Sequence, residues 1–598
     1  MLDHALGRPS PGWQRTQVLA TVLGLLLWSR RRPPSRLASL IAFLTAAAWT
    51  VVLRTLAAMH ALRHFALLTW MNEPESRARM YTRHYFRVTY LFNALDAGFL
   101  TAMHLRPAVL RDLASFLLTG FYLCCPVMAE HKIHAYRHSP TVQMLRVSLN
   151  KAAHPVLRFL TRAHRPRLGI RRNIVLPRPA PAPAETSFPG AQPLPAIPAR
   201  LYYAGTPAEL ARCREVILQC PGGGFVAMNP TCHDDWTSTL AQRTGRPIVG
   251  LDYGKAPQYP FPWAIEECFD AYRTLLATRG ACIGLRLPRG ETLRVILLGD
   301  SAGGNLAVTT CYKAMLAADP VPMPQALLLI YPSLSFEMNC WLSPDEIALI
   351  SSESAHQSGL FDLEHAKHRR REYAPLSEPP APRGYDVKAD RADTRTSWST
   401  RWLPRCFARF RSDVRKGPDI PAALSMSSKF SYFRDRVLTP EMLRAFALLY
   451  LTKSPIPIDL EKDFLISPVL APDALLAELP PVYMICGERD PLIDDTVLFA
   501  GRYRVVHEEA IRQRRTRERS RSMARRLHVK ILPGISHGFL NMLGLLPETA
   551  QILDVMAGWV GAVFDDAAAA ADVQMAPRTL SPAAAARRRQ ALLRAVER

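Results

Sequence analysis

Short, mainly apolar runs spaced between residues 216 and 534 constrain this chain more than any other feature of its sequence. They are Val216–Gln219 (VILQ), Pro247–Tyr253 (PIVGLDY), Arg294–Ser301 (RVILLGDS), Ala326–Ser333 (ALLLIYPS), Pro481–Gly487 (PVYMICG) and Leu527–Gly534 (LHVKILPG). A strand with one wet face alternates; a strand that is apolar throughout is buried on both faces, as in a parallel sheet covered by helices. Helical patterns fill the intervals, including Ala264–Ala277 and Ala302–Leu316. The chain therefore reads as α/β, a mostly parallel sheet with helices on both faces and right-handed crossovers.

The third run ends in GDSAGGN, Gly299 to Asn305. A G-x-S-x-G at a strand-to-helix junction lifts the serine hydroxyl of Ser301 out of the sheet, while the flanking glycines relieve crowding in the tight turn. A serine alone is a poor nucleophile and needs a base and a group that orients the base. The next strand leaves Asp490 in the loop at its carboxyl end (GERDPLIDD), with Asp494 and Asp495 as alternatives a helical turn further on. The last strand leaves His537 in the equivalent place (SHGF). Loops at the carboxyl ends of strands are where open α/β sheets meet their ligands.

A further glycine run, PGGG at residues 221–224, follows the first strand. Glycine costs roughly 0.5–1 kcal/mol of folding entropy relative to alanine, so the run implies an unusual turn or a ligand that touches the backbone. Acyl transfer supplies that ligand, because a tetrahedral intermediate carries an oxyanion and each N–H aimed at it is worth about 3–4 kcal/mol. Gly222 and Gly223 are the expected donors from this loop, and Ala302 the donor that follows the nucleophile.

Taken together, PGGGF, LDYGKAPQYPFPWAIEE, GDSAGGNL, GERDPLIDD and SHGF resemble the hormone-sensitive-lipase group of α/β-hydrolases over roughly residues 200–345 and 430–565. The resemblance implies an α/β-hydrolase fold and serine-dependent hydrolysis of esters with hydrophobic acyl groups, without cofactor or metal. Transferred residue by residue, it makes Ser301, Asp490 and His537 a triad, with Gly222, Gly223 and Ala302 as oxyanion hole. Two positions depart from the group: Pro221 stands where its glycine run begins with histidine, and Gln258 where its glutamate follows AP. Either the loop is poorly held and activity is low, or the loop is held by other means, including the locked φ of Pro221 itself.

The remainder of the 598 residues is organised around this unit. Residues 1–64 form a hydrophobic and basic anchor region, 65–170 a helical N-terminal domain and 171–200 a proline-rich connector. The catalytic domain occupies 201–565, with an insertion at 352–430 rich in proline and charge and a basic insertion at 501–526; a low-complexity tail fills 566–598. Composition of the first insertion favours a mobile segment over a packed domain. For the second the plainest reading is a solvated basic helix, and the competing one is contact with anionic lipid.

A net charge of +24 suits nucleic acid or an anionic membrane. No zinc-finger spacing and no RNA-recognition signature are present, so no nucleic-acid partner is expected. Membrane contact is expected through the N-terminus, where only Asp3 is acidic before residue 73. Val18–Trp28 is too short to cross a core of roughly 30 Å at about 1.5 Å per residue, whereas Leu37–Leu53 approaches spanning length. No cleavage site for a signal peptide follows the first run. An internal membrane such as the endoplasmic reticulum is the expected location. Sidedness is open: Arg30, Arg31, Arg32 and Arg36 before the run favour a cytoplasmic N-terminus, whereas scattered cysteines favour a reducing compartment for the catalytic unit. The expected substrate is a lipid-like ester such as an acylglycerol, a sterol ester or an acetylated sterol. An acyltransferase using the same acyl-enzyme, and a non-catalytic receptor on the same fold, are the alternatives.

Overall fold

The computed structural model describes residues 2–31, 46–69, 80–179, 195–336, 427–513, 526–573 and 582–596, short gaps within these ranges aside. Among the described residues, eight strands form one sheet: β1 (Ile170–Leu176), β2 (Ile197–Tyr203), β3 (Glu215–Cys220), β4 (Ile248–Leu251), β5 (Arg294–Asp300), β6 (Ala326–Ile330), β7 (Val482–Gly487) and β8 (Leu527–Leu532). Their order is β1-β2-β4-β3-β5-β6-β7-β8. The pairs β1–β2 and β2–β4 are antiparallel and every other pair is parallel.

The runs occupy β3 to β8; β3, β6 and β7 are buried at every position, whereas β8, at the edge of the sheet, leaves Val529 and Lys530 exposed and does not meet the expectation of burial on both faces. Alternate residues go to opposite layers. Leu218, Val249, Leu297 and Leu329 share one core with Ile265 and Leu306 of helices Trp263–Ala277 and Ala302–Leu316. Ile217, Ile248, Ile296 and Leu328 share the other with Leu240 and Leu553 of helices Asp234–Thr244 and Pro547–Val573. This is the α/β-hydrolase architecture, with a helical N-terminal region added.

Several boundaries differ from expectation. The connector expected at 171–200 is shorter, because its ends are β1 and the start of β2; Arg171 and Arg172 lie on an outer strand where charge is tolerated, and Pro198 sits in the antiparallel margin of the sheet. Of the basic insertion, residues up to Gln513 simply continue helix Ile493–Gln513, and 514–525 lie outside the described residues. The tail is not inert: Pro582–Val596 is a helix that buries Leu592, and Arg589 Nε donates to Leu316 O at 3.0 Å. Nearly all of insertion 352–430 lies outside the described residues; its end, Ser427–Ser431, is a short helix that inserts Lys429 beside Asp495 at 3.1 Å.

Most of the expected span Leu37–Leu53 also lies outside the described residues. Helices Pro11–Ser29 and Ala46–Arg63 meet through Trp28 and Trp49, ring centroids 5.0 Å apart. Among the described residues no single helix is long and apolar enough to cross a membrane; Ala108–Cys124 and Pro126–His138 pass that test as a pair, but bend by 118° between them. The helical N-terminal region expected at 65–170 packs onto the hydrolase unit. Tyr85 of helix Arg83–Ala102 joins the core of one layer, and Arg137 Nη1 of Pro126–His138 donates to Arg436 O at 2.8 Å.

Candidate active site

The turn after β5 gives Ser301 a φ of 54° and ψ of −123°, a strained combination for a residue other than glycine. It is held by backbone bonds from both directions: Ser301 N–H donates to Ile330 O at 2.9 Å, and the N–H groups of Gly304 and Ser333 donate to Ser301 O at 2.9 and 3.1 Å. The turn leaves no room at Gly303, where a Cβ would lie 1.8 Å from Cys220 O. The serine thus stands at the head of helix Ala302–Leu316, between the ends of β3 and β6.

His537 follows β8 and Asp490 follows β7, and the structure brings both to Ser301. His537 Nε2 lies 3.0 Å from Ser301 Oγ, and its Nδ1 lies 3.0 and 3.2 Å from the two Asp490 carboxylate oxygens. With Asp490 as acceptor, the proton sits on Nδ1 and Nε2 is free to accept from the serine hydroxyl. Asp490 is buried and its Oδ1 also accepts from Leu492 N–H at 2.8 Å, which fixes the carboxylate. Desolvation alone would push the imidazole of His537 down; the negative charge and hydrogen bond of Asp490, with smaller contributions from Asp435 and Asp300, override it and hold the group above its ordinary value.

The alternatives to Asp490 are engaged elsewhere. Asp495 accepts from Leu334 N–H and Ser335 N–H, each at 2.9 Å, and pairs with Lys429. Asp494 accepts from Ser428 N–H at 2.8 Å.

The glycine loop requires a correction. Gly222 N–H does not face the space above Ser301; it donates to Asp300 Oδ1 at 3.0 Å, and a Cβ on Gly222 would lie 2.7 Å from Asp300 Oδ2. The glycines that line the cleft with Ser301 and His537 are Gly223 and Gly224. Among the described residues, the N–H groups of Gly223, Gly224 and Ala302 have no acceptor, so they are available as donors beside the serine. Gly222 is needed for a different reason: only a bare Cα lets the loop approach the aspartate that precedes Ser301.

Three contacts hold that loop in place of the missing histidine. Tyr253 O–H donates to Pro221 O at 2.7 Å. His233 Nε2 lies 3.1 Å from Asp300 Oδ2, so Asp300 is clamped by both oxygens inside the protein. Arg146, from the N-terminal helices, donates through Nε to Val226 O at 3.0 Å and through Nη2 to Gln258 Oε1 at 2.5 Å. The two departures noted in the sequence therefore meet in one arrangement, Gln258 serving as the acceptor for Arg146. None of these partners was singled out in the sequence. His233 in NPTCHDD had the right chemistry, but nothing local marks it as facing a residue 67 positions away.

Around the histidine the N-terminal helices contribute again. Tyr85 O–H donates to His537 O at 3.3 Å, and Ser536 O–H donates to Asp435, which also accepts from Tyr81 O–H at 3.0 Å. The ring of Tyr331 lies against the His537 imidazole, centroids 4.6 Å apart. From Ser301 a cleft of about 1260 Å³, its open mouth included, runs beneath Leu438, Met442 and Phe446 and against helices Arg83–Ala102 and Pro126–His138. Its wall is mainly apolar, with Asn93, Asp96, Arg137, Arg436 and Asn541 among the polar exceptions.

Comparison with known proteins points to the same fold. Residues 217–376 and 420–540 match a family described as having an alpha/beta hydrolase fold. Hormone-sensitive lipase of Bos taurus is 26% identical over 433 residues, covering 58% of this chain and 53% of that protein. Ethyl acetate hydrolase of Pseudomonas putida is 32% identical over 136 residues, 23% of this chain and 40% of that protein. The chain spans about half the length of the hormone-sensitive lipases it matches. Among solved structures, the esterase of Pyrobaculum calidifontis superposes with a TM-score of 0.43 at 19% identity, over 71% of this chain and 94% of that one.

Proposed function

Given that this chain belongs to the hormone-sensitive-lipase-like group of α/β-hydrolases, we propose that it is a serine hydrolase cleaving hydrophobic carboxylic esters through an acyl-enzyme on Ser301. The observation that carries this reading is the continuous chain from Ser301 Oγ to His537 Nε2 at 3.0 Å and from His537 Nδ1 to Asp490 at 3.0 Å, opening into a mainly apolar cleft.

In this mechanism Ser301 Oγ attacks the ester carbonyl as its proton passes to His537 Nε2, and Asp490 stabilises the imidazolium and keeps its orientation. The oxygen of the tetrahedral intermediate faces the N–H groups of Gly223, Gly224 and Ala302, which are fixed before the substrate arrives and so need no reorganisation. Collapse breaks the bond to the alcohol oxygen, which takes the proton from His537 and leaves. Water then attacks the acyl-enzyme, gives its proton to His537, and the second collapse returns it to Ser301 with release of the acid. The apolar wall suits a long acyl or alkyl group, which supports lipid-like esters over small soluble ones.

Action at a membrane surface is part of the same proposal. Val109, Leu113, Phe116 and Leu117 of Ala108–Cys124 are each more than half exposed, and the helix packs on Arg83–Ala102, which lines the cleft. Leu23, Val51 and Leu62 add exposed apolar surface on helices Pro11–Ser29 and Ala46–Arg63, and the net charge of +24 complements anionic lipid. An internal membrane remains the expected location.

The test is hydrolysis of a chain-length series of p-nitrophenyl esters by the purified full chain, with and without hydroxylamine. Activity rising with chain length, together with hydroxamate formation from a common acyl-enzyme, supports the reading. Absence of turnover across the whole series contradicts it.

A further inference from the structure

The cleft that begins at Ser301 contains a polar cluster that ester hydrolysis does not use. Helix Arg83–Ala102 presents Asn93 and Asp96 to it, one turn apart on one face, and helix Pro126–His138 presents Arg137. Asn93 is 7% exposed, yet its side chain makes no hydrogen bond to any described residue. Asp96 likewise accepts none, and keeps solvent-accessible surface only because it borders the cleft. Arg137 spends Nη1 on Arg436 O and makes no further hydrogen bond among the described residues. Asn93 is buried, whereas Asp96 and Arg137 are half-buried beside it. A buried polar side chain without a partner costs about 1–3 kcal/mol, so Asn93, flanked by two charged groups that reach the cleft, implies a partner that enters there.

We propose that Asn93, Asp96 and Arg137 form a subsite that recognises a neutral donor–acceptor group, a hydroxyl being the simplest, carried by the ester substrate away from its reacting carbonyl. The proposal deepens the hydrolase reading and rests on it.

Charge decides the class of group. An anionic substituent would be drawn to Arg137 but repelled by Asp96, and a cationic one would meet the reverse; Arg436 on the same wall is already paired with Glu130 at 3.1 Å. A hydroxyl satisfies both, donating to the carboxyl or to the Asn93 carbonyl while accepting from the guanidinium or the amide. Burial pushes the Asp96 carboxyl up to about 7 against the pull of Arg137, so around neutrality it can either accept or donate, and a hydroxyl complements both forms.

The experiment measures binding rather than turnover. The Ser301→Ala protein is titrated by calorimetry with decanoate esters and decyl acetates, each compared with analogues in which a hydroxyl is walked along the chain. The expected result is a hydroxyl position at which affinity exceeds that of the unsubstituted ester by about tenfold. In that protein Asp96→Leu and Asn93→Leu reduce the advantage towards unity without weakening the unsubstituted ester. Equal affinity at every hydroxyl position overturns the proposal even if no wall variant folds, and so does an advantage that survives both substitutions. Binding of the plain esters is read separately from hydrolysis by the parent protein, so loss of the hydroxyl preference and failure of the hydrolase reading are distinguishable.

Discussion

Gly222 N–H donates to Asp300 Oδ1 at 3.0 Å, tying the glycine loop after β3 to the residue immediately before Ser301. The other oxygen of Asp300 is held by His233 Nε2 at 3.1 Å, and both side chains are buried. The bond means that the nucleophile and two of the donors proposed to serve it cannot move independently. A loop that drifts must also break a buried charge-assisted hydrogen bond, which makes His233 a positioning residue for the oxyanion site although it touches no substrate.

His233→Phe removes the clamp while keeping an aromatic ring of similar size. It is expected to lower kcat by roughly tenfold to hundredfold with KM nearly unchanged, because the loss is one of alignment in the transition state. His233→Gln, which keeps a donor towards Asp300, should recover part of the rate. Steady-state kinetics on a chromogenic ester check this, and a change confined to KM would contradict it.

At Pro221 the expectation is the absence of a gain. Tyr253 already fixes Pro221 O, and Arg146 fixes Val226 O and Gln258. Histidine there would place a polar ring in a buried position without relieving any strain. Pro221→His should therefore show equal or lower kcat in the same assay, and a clear rise in kcat would show that the loop of the parent protein is poorly held.

Strands β3 to β7 were legible because each is a mainly apolar run and β8 because LHVKIL continues the series with alternating polar residues, whereas β1 and β2 were not, since IRRNIVL and IPARLYY carry the charge and proline that an antiparallel margin tolerates. The meeting of Ser301, Asp490 and His537 could be anticipated because chain order and strand ends alone place them. Gly222 could not be separated from Gly224: a glycine run reports that side chains are excluded, not where each N–H points. Arg146 and Tyr85 reach the site through tertiary packing of helices whose local pattern is that of any amphipathic or membrane-seeking segment. For the same reason the helix Pro582–Val596 read as an alanine-rich tail until Leu592 had a core to enter.

The imidazole of His537 must be neutral to accept the serine proton, and the surrounding carboxylates hold its affinity for protons above the ordinary value of 6.5. As pH falls through that raised value the base becomes charged and activity is lost. The acid limb of kcat/KM should therefore lie above 6.5. Asp435→Asn removes one contributing charge and should move the limb to lower pH. A limb below the ordinary histidine value in the parent protein would contradict the assignment.

For the membrane, Leu113→Glu combined with Leu117→Glu places charge on an exposed apolar face and should reduce flotation with anionic vesicles while leaving hydrolysis of a soluble ester intact. Carbonate extraction of the full chain and of a version lacking residues 1–60 separates this face from the N-terminal anchor. If both versions and the glutamate variant float equally with vesicles, neither surface holds the protein to lipid.

The most direct measurement is fluorophosphonate labelling of the purified full chain beside Ser301→Ala, with circular dichroism to verify folding. Ser301 makes its hydroxyl contact to His537 Nε2 at 3.0 Å and, among the described residues, no other hydrogen bond through that hydroxyl. The account predicts covalent labelling of the parent protein on Ser301 itself, and loss of both labelling and ester hydrolysis in a folded Ser301→Ala protein. Labelling of the variant at an unchanged rate, or a parent protein that neither labels nor cleaves any ester, would contradict it.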